Sequence, residues 1–152
     1  MAKANKKWWL DVAPEAKEPN PPKPEDNVLI RFDNVHTYFR GEAGIVKAVN
    51  GVSFEIRRGE TVCVVGESGC GKSVTSLSLM RLVEEPQGKI VSGHIWFDGI
   101  DMVQATKKDM YGYRGNRMSM IFQEPMTSLN PALKIGYQVG EVLRKHKGKS
   151  KQ

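Results

Sequence analysis

Three glycines precede a lysine and a serine in the stretch from Gly66 to Ser73. Because glycine adopts positive φ angles without steric cost, such a loop can turn consecutive N–H groups toward one bound anion. A helix that begins at the serine adds the positive end of its dipole, and the lysine adds a mobile charge. The serine hydroxyl is suited to ligate Mg²⁺. The spacing G-x-x-x-x-G-K-S therefore predicts a loop that binds the phosphates of a nucleotide. The predicted binding residues are Gly66, Glu67, Ser68, Gly69, Cys70, Gly71, Lys72, Ser73 and Val74, with Ser73 also the predicted metal ligand.

Two elements must position this loop. Residues 60–65, ETVCVV, form a short valine-rich run typical of a strand buried on both faces, in a sheet covered by helices. A helix is predicted from Ser73 to about Glu84, because Pro86 and Gly88 end it. A glycine-rich turn without a chemical role is the alternative interpretation, and a strand before the loop with a helix after it disfavours that alternative.

Five further segments show the periodicity of regular structure. Strands are predicted for NVLIRFDNV, which begins at Asn27, for VNGVSFEI, and for GHIWFDGID with a turn at Asp98-Gly99. RMSMIFQ is another predicted strand, in which apolar residues alternate. A helix is predicted near the end of the chain, where apolar residues recur at i, i+4, i+7 and i+8: Ile135, Val139, Val142 and Leu143.

The composition is that of one ordinary globular domain, with 152 residues of which 39% are hydrophobic and 26% charged. The net charge of +6 lies at the two ends, residues 1–12 and 140–152, so no nucleic acid is expected as a partner. Because no apolar run could span a membrane and no secretory signal is present, a cytoplasmic location is expected. Cys63 and Cys70 lack the spacing of a disulfide or zinc site, and Cys63 is expected to be buried.

Residues 1–26 form a leader that is first basic and aromatic and then rich in proline, with five of the eight prolines of the chain. Because proline-rich chain is extended and enters neither a helix interior nor a sheet centre, we expect residues 1–26 to be disordered and the domain to span 27–152. In the alternative interpretation, Trp8 and Trp9 beside two lysines contact a membrane surface or a partner protein.

A second stretch carries a family resemblance. MSMIFQEPMTSLNP, residues 118–131, resembles the Q-loop region of ABC transporter ATPase subunits, and more narrowly that of the oligopeptide/dipeptide importer group. VNGVSFEIRRGETVCVVGESGCGKS and GHIWFDGIDM resemble that family's approach to its Walker A loop and its next hairpin. The resemblance covers about residues 28–150. It implies an α/β fold, the P-loop NTPase core of an ABC ATPase nucleotide-binding domain, with an antiparallel β subdomain and the start of a helical subdomain.

The resemblance also implies ATP and Mg²⁺ as cofactors and assigns roles to two more residues. Gln123 ends a predicted strand, and its amide can offer an oxygen to Mg²⁺ and an NH₂ group to the attacking water. By the resemblance, Gln123 is a catalytic residue and metal ligand that also couples the site to a membrane subunit. An aromatic residue of the first hairpin stacks on adenine in this family, and Phe39 matches that position better than Tyr38. A core role for both aromatics is the alternative.

Three motifs of the family have no match after Gln123: the signature loop, an apolar strand ending in Asp-Glu, and the switch histidine. We therefore expect residues 27–152 to be the N-terminal part of the domain, truncated after the Q-loop. Whether this chain is an enzyme stays open, and hydrolysis by it alone is expected to be near background. The uncovered apolar strand and helix predict a marginally stable chain that aggregates.

The implied function is that of an ATP-binding subunit of a peptide importer, which couples ATP binding and hydrolysis to transport. Its expected partners are transmembrane permease subunits and a second ATPase subunit, identical or different, on the inner face of the cell membrane. One alternative is a non-catalytic fragment that binds nucleotide or a transporter subunit. Another is a different P-loop enzyme, such as a nucleotide kinase, but no second substrate-binding segment is found.

Overall fold

The computed structural model describes residues 7–124 and 129–147. Two units make up the chain, Met1–Ala105 and Thr106–Gln152. Among its described residues, the first contains two short 3₁₀ turns, four strands and one helix: Trp8–Asp11, Pro24–Asp26, β1 (Val28–Gly41), β2 (Gly44–Arg57), α1 (Lys72–Leu79), β3 (Gly88–Phe97) and β4 (Ile100–Asp101). The second contains two helices: α2 (Lys107–Tyr113) and α3 (Ile135–Lys147).

The four strands form one antiparallel sheet in the order β2-β1-β3-β4. The register places Phe32 of β1 opposite Phe54 of β2 and Ile95 of β3. The two phenylalanine rings stack with their centroids 4.5 Å apart, a cross-strand contact of the kind that stabilises sheets. The three strands predicted in this region are confirmed, as is the turn at residues 98–99, and β1 and β2 are longer than predicted.

The core of the first unit lies on β1 and β3, and α1 is joined to it by a buried polar pair. Its buried apolar side chains include Phe32, Val35, Ile95, Trp96, Phe97 and Met102. The hydroxyls of Thr37 on β1 and Ser78 on α1 lie 2.8 Å apart, and both residues are fully buried. Because a buried hydroxyl needs a hydrogen-bond partner, this pair fixes the helix on the sheet in one position.

Helix α1 ends at Leu79, earlier than the predicted end near Glu84. Arg81 follows with φ of 52°, in the left-handed region. Its N–H bonds the Ser78 carbonyl and the N–H of Leu82 bonds the Leu77 carbonyl, the two bonds of a Schellman motif. The Arg81 guanidinium donates to the carbonyl oxygens of residues 102 and 103, which holds this non-glycine residue in its turn. Pro86 and Gly88, from which the end of the helix is predicted, lie after the residue at which α1 ends.

Two predicted strands are wrong. Residues 60–67 have no regular secondary structure and are exposed, with Val65 87% exposed. Cys63 is therefore exposed, and the prediction that it is buried is also wrong. In the segment RMSMIFQ, Met118 makes only an isolated bridge to Arg114, and Ile121 is 97% exposed. An inner parallel strand depends on hydrogen bonds from neighbours distant in sequence, and within residues 7–124 and 129–147 no strand pairs with either segment.

The described residues of the second unit contain the helices α2 and α3. A capping box starts α2, in which the Asp109 N–H donates to the Thr106 hydroxyl and the Thr106 N–H donates to the Asp109 carboxylate. The ammonium of Lys145 on α3 lies 4.7 Å from the ring centroid of Tyr111 on α2. Helix α3 agrees with the prediction, and its four periodic apolar side chains are exposed, as the sequence also predicts. Of the helices in the described ranges, none has the length and apolar character to cross a membrane.

Part of the leader packs on the first unit. Trp8 is only 6% exposed, and the Pro86 carbonyl accepts a hydrogen bond from its indole N–H at 2.9 Å. The expectation of a disordered leader therefore does not describe the turn at Trp8–Asp11. The domain boundary at residue 27 stays a prediction.

Candidate functional site

The glycine loop connects the exposed segment 60–67 to the start of α1, and two of its glycines have the positive φ that the sequence predicts. Gly69 has φ of 80° and Gly71 has φ of 96°. At Gly69 the surroundings are open, so only the dihedral angle requires glycine there. At Gly71 an added Cβ would also collide with the carbonyl oxygen of Ala48 on β2. Gly71 therefore serves a second purpose, because it lets the start of α1 lie directly on the sheet.

Gly66 is a glycine for a different reason. Its φ lies outside the positive region, but an added Cβ would stand 2.6 Å from the sulfur of Cys70. The loop thus folds its own Cys70 side chain over Gly66, and any side chain at residue 66 would displace it. The whole stretch from residue 61 to 70 is exposed, so the loop is open to an incoming ligand.

The ammonium of Lys72 lies inside the arch of the loop. It donates to the carbonyl oxygens of Gly66 and Glu67, each at 2.7 Å, and lies 3.6 Å from the Cys70 sulfur. Both oxygen contacts are exposed, so they exchange readily with other acceptors. Lys72 thus carries its charge at the centre of the loop, as the sequence predicts for a group that meets phosphate oxygens.

The start of α1 is suited to an anion. Gly71 occupies the N-cap position, and in the described structure no side chain caps it and no acidic residue stands in the first turn. The first amide groups of a helix lack intrahelical partners, so those of Lys72, Ser73 and Val74 are available to an anionic ligand, assisted by the helix dipole. Ser73 is exposed at this position. The loop and the start of α1 therefore fit the phosphates of a nucleoside triphosphate.

A magnesium ion also fits this arrangement, with few protein ligands. Among residues 7–124 and 129–147 no three His, Cys, Asp or Glu side chains are grouped as a metal site. Mg²⁺ usually keeps several waters and takes one or two protein oxygens together with the phosphates of a nucleotide. The Ser73 hydroxyl at the start of α1 is one such oxygen, so its predicted role agrees with the donor set.

Of the two candidate aromatic residues, only Phe39 is accessible. Tyr38 is 2% exposed, its hydroxyl donates to the Asn50 side-chain oxygen at 2.7 Å, and burial raises its pKa. Phe39 is half-buried at the end of β1, where its ring lies against the backbone at Gly88. Burial therefore assigns Tyr38 to the core and leaves Phe39 as the residue that can meet a base.

Gln123 lies in the second unit, exposed and in a segment without regular secondary structure. The expectation that it ends a strand is wrong, because no strand of the described residues pairs with RMSMIFQ. Residues 125–128, within the stretch that resembles the Q-loop region, lie outside the described residues. The roles of Gln123 in catalysis and metal binding stay predictions.

Sequence reasoning missed two supports of the loop. The Ala48 carbonyl beneath Gly71 is a backbone group, and no side-chain pattern could have revealed it. The pair of Thr37 and Ser78 left a weak signal, since Ser78 is a polar residue on the inward face of a helix. A polar residue on the inward face of a helix either binds a ligand or forms a buried hydrogen bond, and Ser78 forms a buried hydrogen bond.

An exposed loop with the spacing G-x-x-x-x-G-K-S, at the start of a helix that packs on a sheet, is typical of P-loop nucleotide-binding proteins. The sequence matches the ABC transporter family over residues 49–151, more than half of the chain. The chain therefore belongs to the ABC transporter family. This confirms the resemblance carried by residues 118–131 and by the loop itself.

Three similar curated relatives come from Bacillus subtilis (strain 168). The oligopeptide transport ATP-binding protein AppD is 51% identical over 126 residues, 83% of this chain and 38% of that protein. The dipeptide transport ATP-binding protein DppD is 48% identical over 82% of this chain and 37% of that protein. The oligopeptide transport ATP-binding protein OppD is 46% identical over 82% and 35%. The chain thus spans less than two fifths of the length of these relatives.

A solved structure supports the predicted fold class. The dimeric structure of MJ0796, a bacterial ABC transporter cassette, superposes with a TM-score of 0.66 and covers 80% of this chain and 50% of that one. The sequence identity is 24%, so the likeness concerns the fold. The fold is that of an ABC ATPase cassette.

Proposed function

We propose that this chain supplies the ATP-binding part of a subunit of an ABC importer for oligopeptides or dipeptides, which couples ATP binding and hydrolysis to transport. The observation that carries the proposal is the placement of Lys72, whose ammonium lies inside a loop of positive-φ glycines at an uncapped helix start. The names of the peptide-transport relatives support the substrate class.

Each residue of the loop has a distinct part in the proposal. The amides of Lys72, Ser73 and Val74 donate to the phosphates. Lys72 exchanges its two carbonyl contacts for phosphate oxygens, and Ser73 ligates Mg²⁺. Phe39 stacks on the adenine, a contact worth about 1–3 kcal/mol in comparable base–aromatic pairs. Bound ATP supplies the phosphoanhydride bond whose cleavage drives transport.

The partners belong to the proposal as well. Transmembrane permease subunits and a second ATPase subunit, identical or different, complete the importer on the inner face of the cell membrane. Gln123 is proposed to couple the nucleotide to the permease and to orient the attacking water. Since the sequence has no match to the signature loop, the Asp-Glu strand or the switch histidine, we expect hydrolysis by this chain alone to be near background.

Calorimetry of Mg-ATP binding to the purified chain tests the proposal, with Lys72→Ala as the variant and Lys108→Ala as the control. Lys108 is exposed on α2, so its loss changes the net charge equally without touching the loop. Saturable binding that Lys72→Ala abolishes and Lys108→Ala retains supports the proposal. Binding that survives both changes contradicts the phosphate site.

A second candidate function is a fragment that binds nucleotide or a transporter subunit without turnover. The exposed valines before the loop favour it, because a loop entered from an unpaired segment is less rigid than one entered from a strand. Phosphate release from ATP tests this second function. Turnover above background that Lys72→Ala removes excludes the fragment, because the fragment binds nucleotide without hydrolysing it.

A further inference from the structure

The aromatic turn of the leader docks on the segment between α1 and β3. Trp8 is buried there, with its indole N–H bonded to the Pro86 carbonyl. The ring of Trp9 packs edge-on against that of Trp8, with centroids 6.2 Å apart, and the Lys89 ammonium lies 4.0 Å from the Trp9 centroid. A partly buried hydrogen bond and a cation–π contact therefore connect residues 86–89 to the leader.

The same segment also supports the end of β1. The Arg40 N–H donates to the Gln87 carbonyl at 2.7 Å, and Phe39 pairs with Gly88. An added Cβ at Gly88 would stand 2.5 Å from Cε1 of Phe39, so the ring rests directly on this backbone. The position of the Phe39 ring therefore depends on a backbone segment that the leader holds.

The rest of the leader is anchored at a second point, which keeps Trp8 close to its site. The Arg31 guanidinium donates to the Asn20 carbonyl at 3.1 Å and lies 3.8 Å from the Asp26 carboxylate. Five prolines fall between residues 14 and 24, and they keep this stretch extended. A stiff, anchored tether loses little entropy when its end docks, so the Trp8 contact is favoured as an intramolecular one.

We propose that Trp8 is a positioning residue for Phe39, which fixes the backbone at residues 86–89 and thereby orients the Phe39 ring for stacking on a nucleotide base. This inference rests on the proposed function, in which Phe39 stacks on the base, and extends it to the leader. A ring that is already held in place loses no conformational entropy when the base binds. A loosened ring must become ordered on binding, and this entropy loss lowers the affinity. The leader thus contributes to affinity for the base and leaves affinity for the phosphates unchanged.

Two ligands separate these contributions: Mg-ATP, which has a base, and magnesium tripolyphosphate, which has none. In calorimetry, Trp8→Ala is expected to weaken Mg-ATP binding about three- to tenfold, part of the loss expected for Phe39→Ala, while tripolyphosphate binding stays within about twofold of wild type. Leu10→Ala is the matched control, because Leu10 lies in the same turn but is exposed. Trp8→Phe keeps an aromatic ring and loses the indole N–H. A smaller loss of Mg-ATP affinity in this variant tests the claim should Trp8→Ala fail to fold.

Several results overturn the inference. Equal loss for both ligands shows that Trp8 supports the fold in general, and no loss for either shows that the leader is irrelevant to binding. If Phe39→Ala binds Mg-ATP as the wild type does, Phe39 does not contact the base and the inference is wrong. Wild-type binding of tripolyphosphate by the same variant would show that the phosphate site is nevertheless intact. A wild-type chain that binds neither ligand contradicts the proposed function and the inference with it.

Discussion

The strands β1 and β3 and the segment that leads into the glycine loop are all rich in apolar residues, yet only the two strands are regular and carry buried side chains. β1 pairs with β2 on one side and with β3 on the other, and side chains of β1 and β3 supply much of the core. Residues 60–67 are irregular and exposed. The difference shows that an apolar run becomes a strand only where neighbouring strands are in place to pair with it.

The largest expected effect is on stability, in the sheet. Ile95→Ala removes a fully buried side chain of β3 and is expected to lower the free energy of unfolding by about 2–5 kcal/mol. Val65→Ala, in the exposed segment, is expected to change it by less than about 0.5 kcal/mol. Urea unfolding followed by circular dichroism measures both. Equal losses would mean that residues 60–67 are as well packed as β3.

The second effect compares two glycines of the loop. Gly71→Ala meets both a left-handed dihedral and the Ala48 carbonyl, so we expect a loss of about 2 kcal/mol in stability, together with loss of Mg-ATP binding. Gly69→Ala meets only the dihedral and is expected to cost about 1 kcal/mol. Thermal unfolding of the two variants measures the difference. A greater loss at residue 69 would contradict the contact between the loop and β2.

A third change loosens the helix from the sheet. Thr37→Val removes one hydroxyl of the buried pair with Ser78 and is expected to cost about 1 kcal/mol. Ser76→Ala, on the exposed side of α1, serves as the control and is expected to stay near wild type. Chemical denaturation of both variants is the measurement. A neutral Thr37→Val would show that the pair does not hold α1 in place.

The smallest effect is a pH dependence in the second unit. Hydrogen bonds from Thr106 hold the pKa of the Asp109 carboxyl below its ordinary value of 3.8. Because the folded pKa lies below the unfolded one, the cap stabilises α2 above that ordinary value and its contribution disappears as pH falls through the lowered pKa. NMR titration of the Asp109 carboxyl is expected to give a midpoint below 3.8. A midpoint at or above it would contradict the capping box. Thr106→Ala is expected to raise the pKa of Asp109 toward its ordinary value, because the side-chain hydrogen bond is lost while the backbone N–H of residue 106 still donates to the carboxylate.

Sequence patterns predict most of the elements that are stabilised by interactions between residues close in sequence. The hairpin strands, the turn at 98–99, the α3 stripe and the positive φ of Gly69 and Gly71 all follow from residues close in sequence. TVCVV is predicted as a strand from its continuous apolar run and RMSMIFQ from its alternating apolar residues. Neither pattern reports whether a partner strand is present.

The site shows the same division. The loop and the position of Lys72 follow from glycine spacing. The choice of Phe39 over Tyr38 follows from the family resemblance, and the burial of Tyr38 agrees with it. The carbonyl of Ala48 under the loop and the docking of Trp8 on Pro86 are long-range contacts. Residue spacing predicts neither contact, because the first depends on how closely two backbone segments approach and the second on the length of the leader.

Amide hydrogen exchange with and without Mg-ATP tests the central claim most directly, that the glycine loop binds phosphate through its own backbone N–H groups. We predict that amides of residues 66–74 become protected on adding Mg-ATP, while β1 and β3 are protected throughout. Protection of the loop that Lys72→Ala removes agrees with the account. Loop amides that exchange at the same rate with and without Mg-ATP, under conditions where β1 and β3 remain protected, would contradict it.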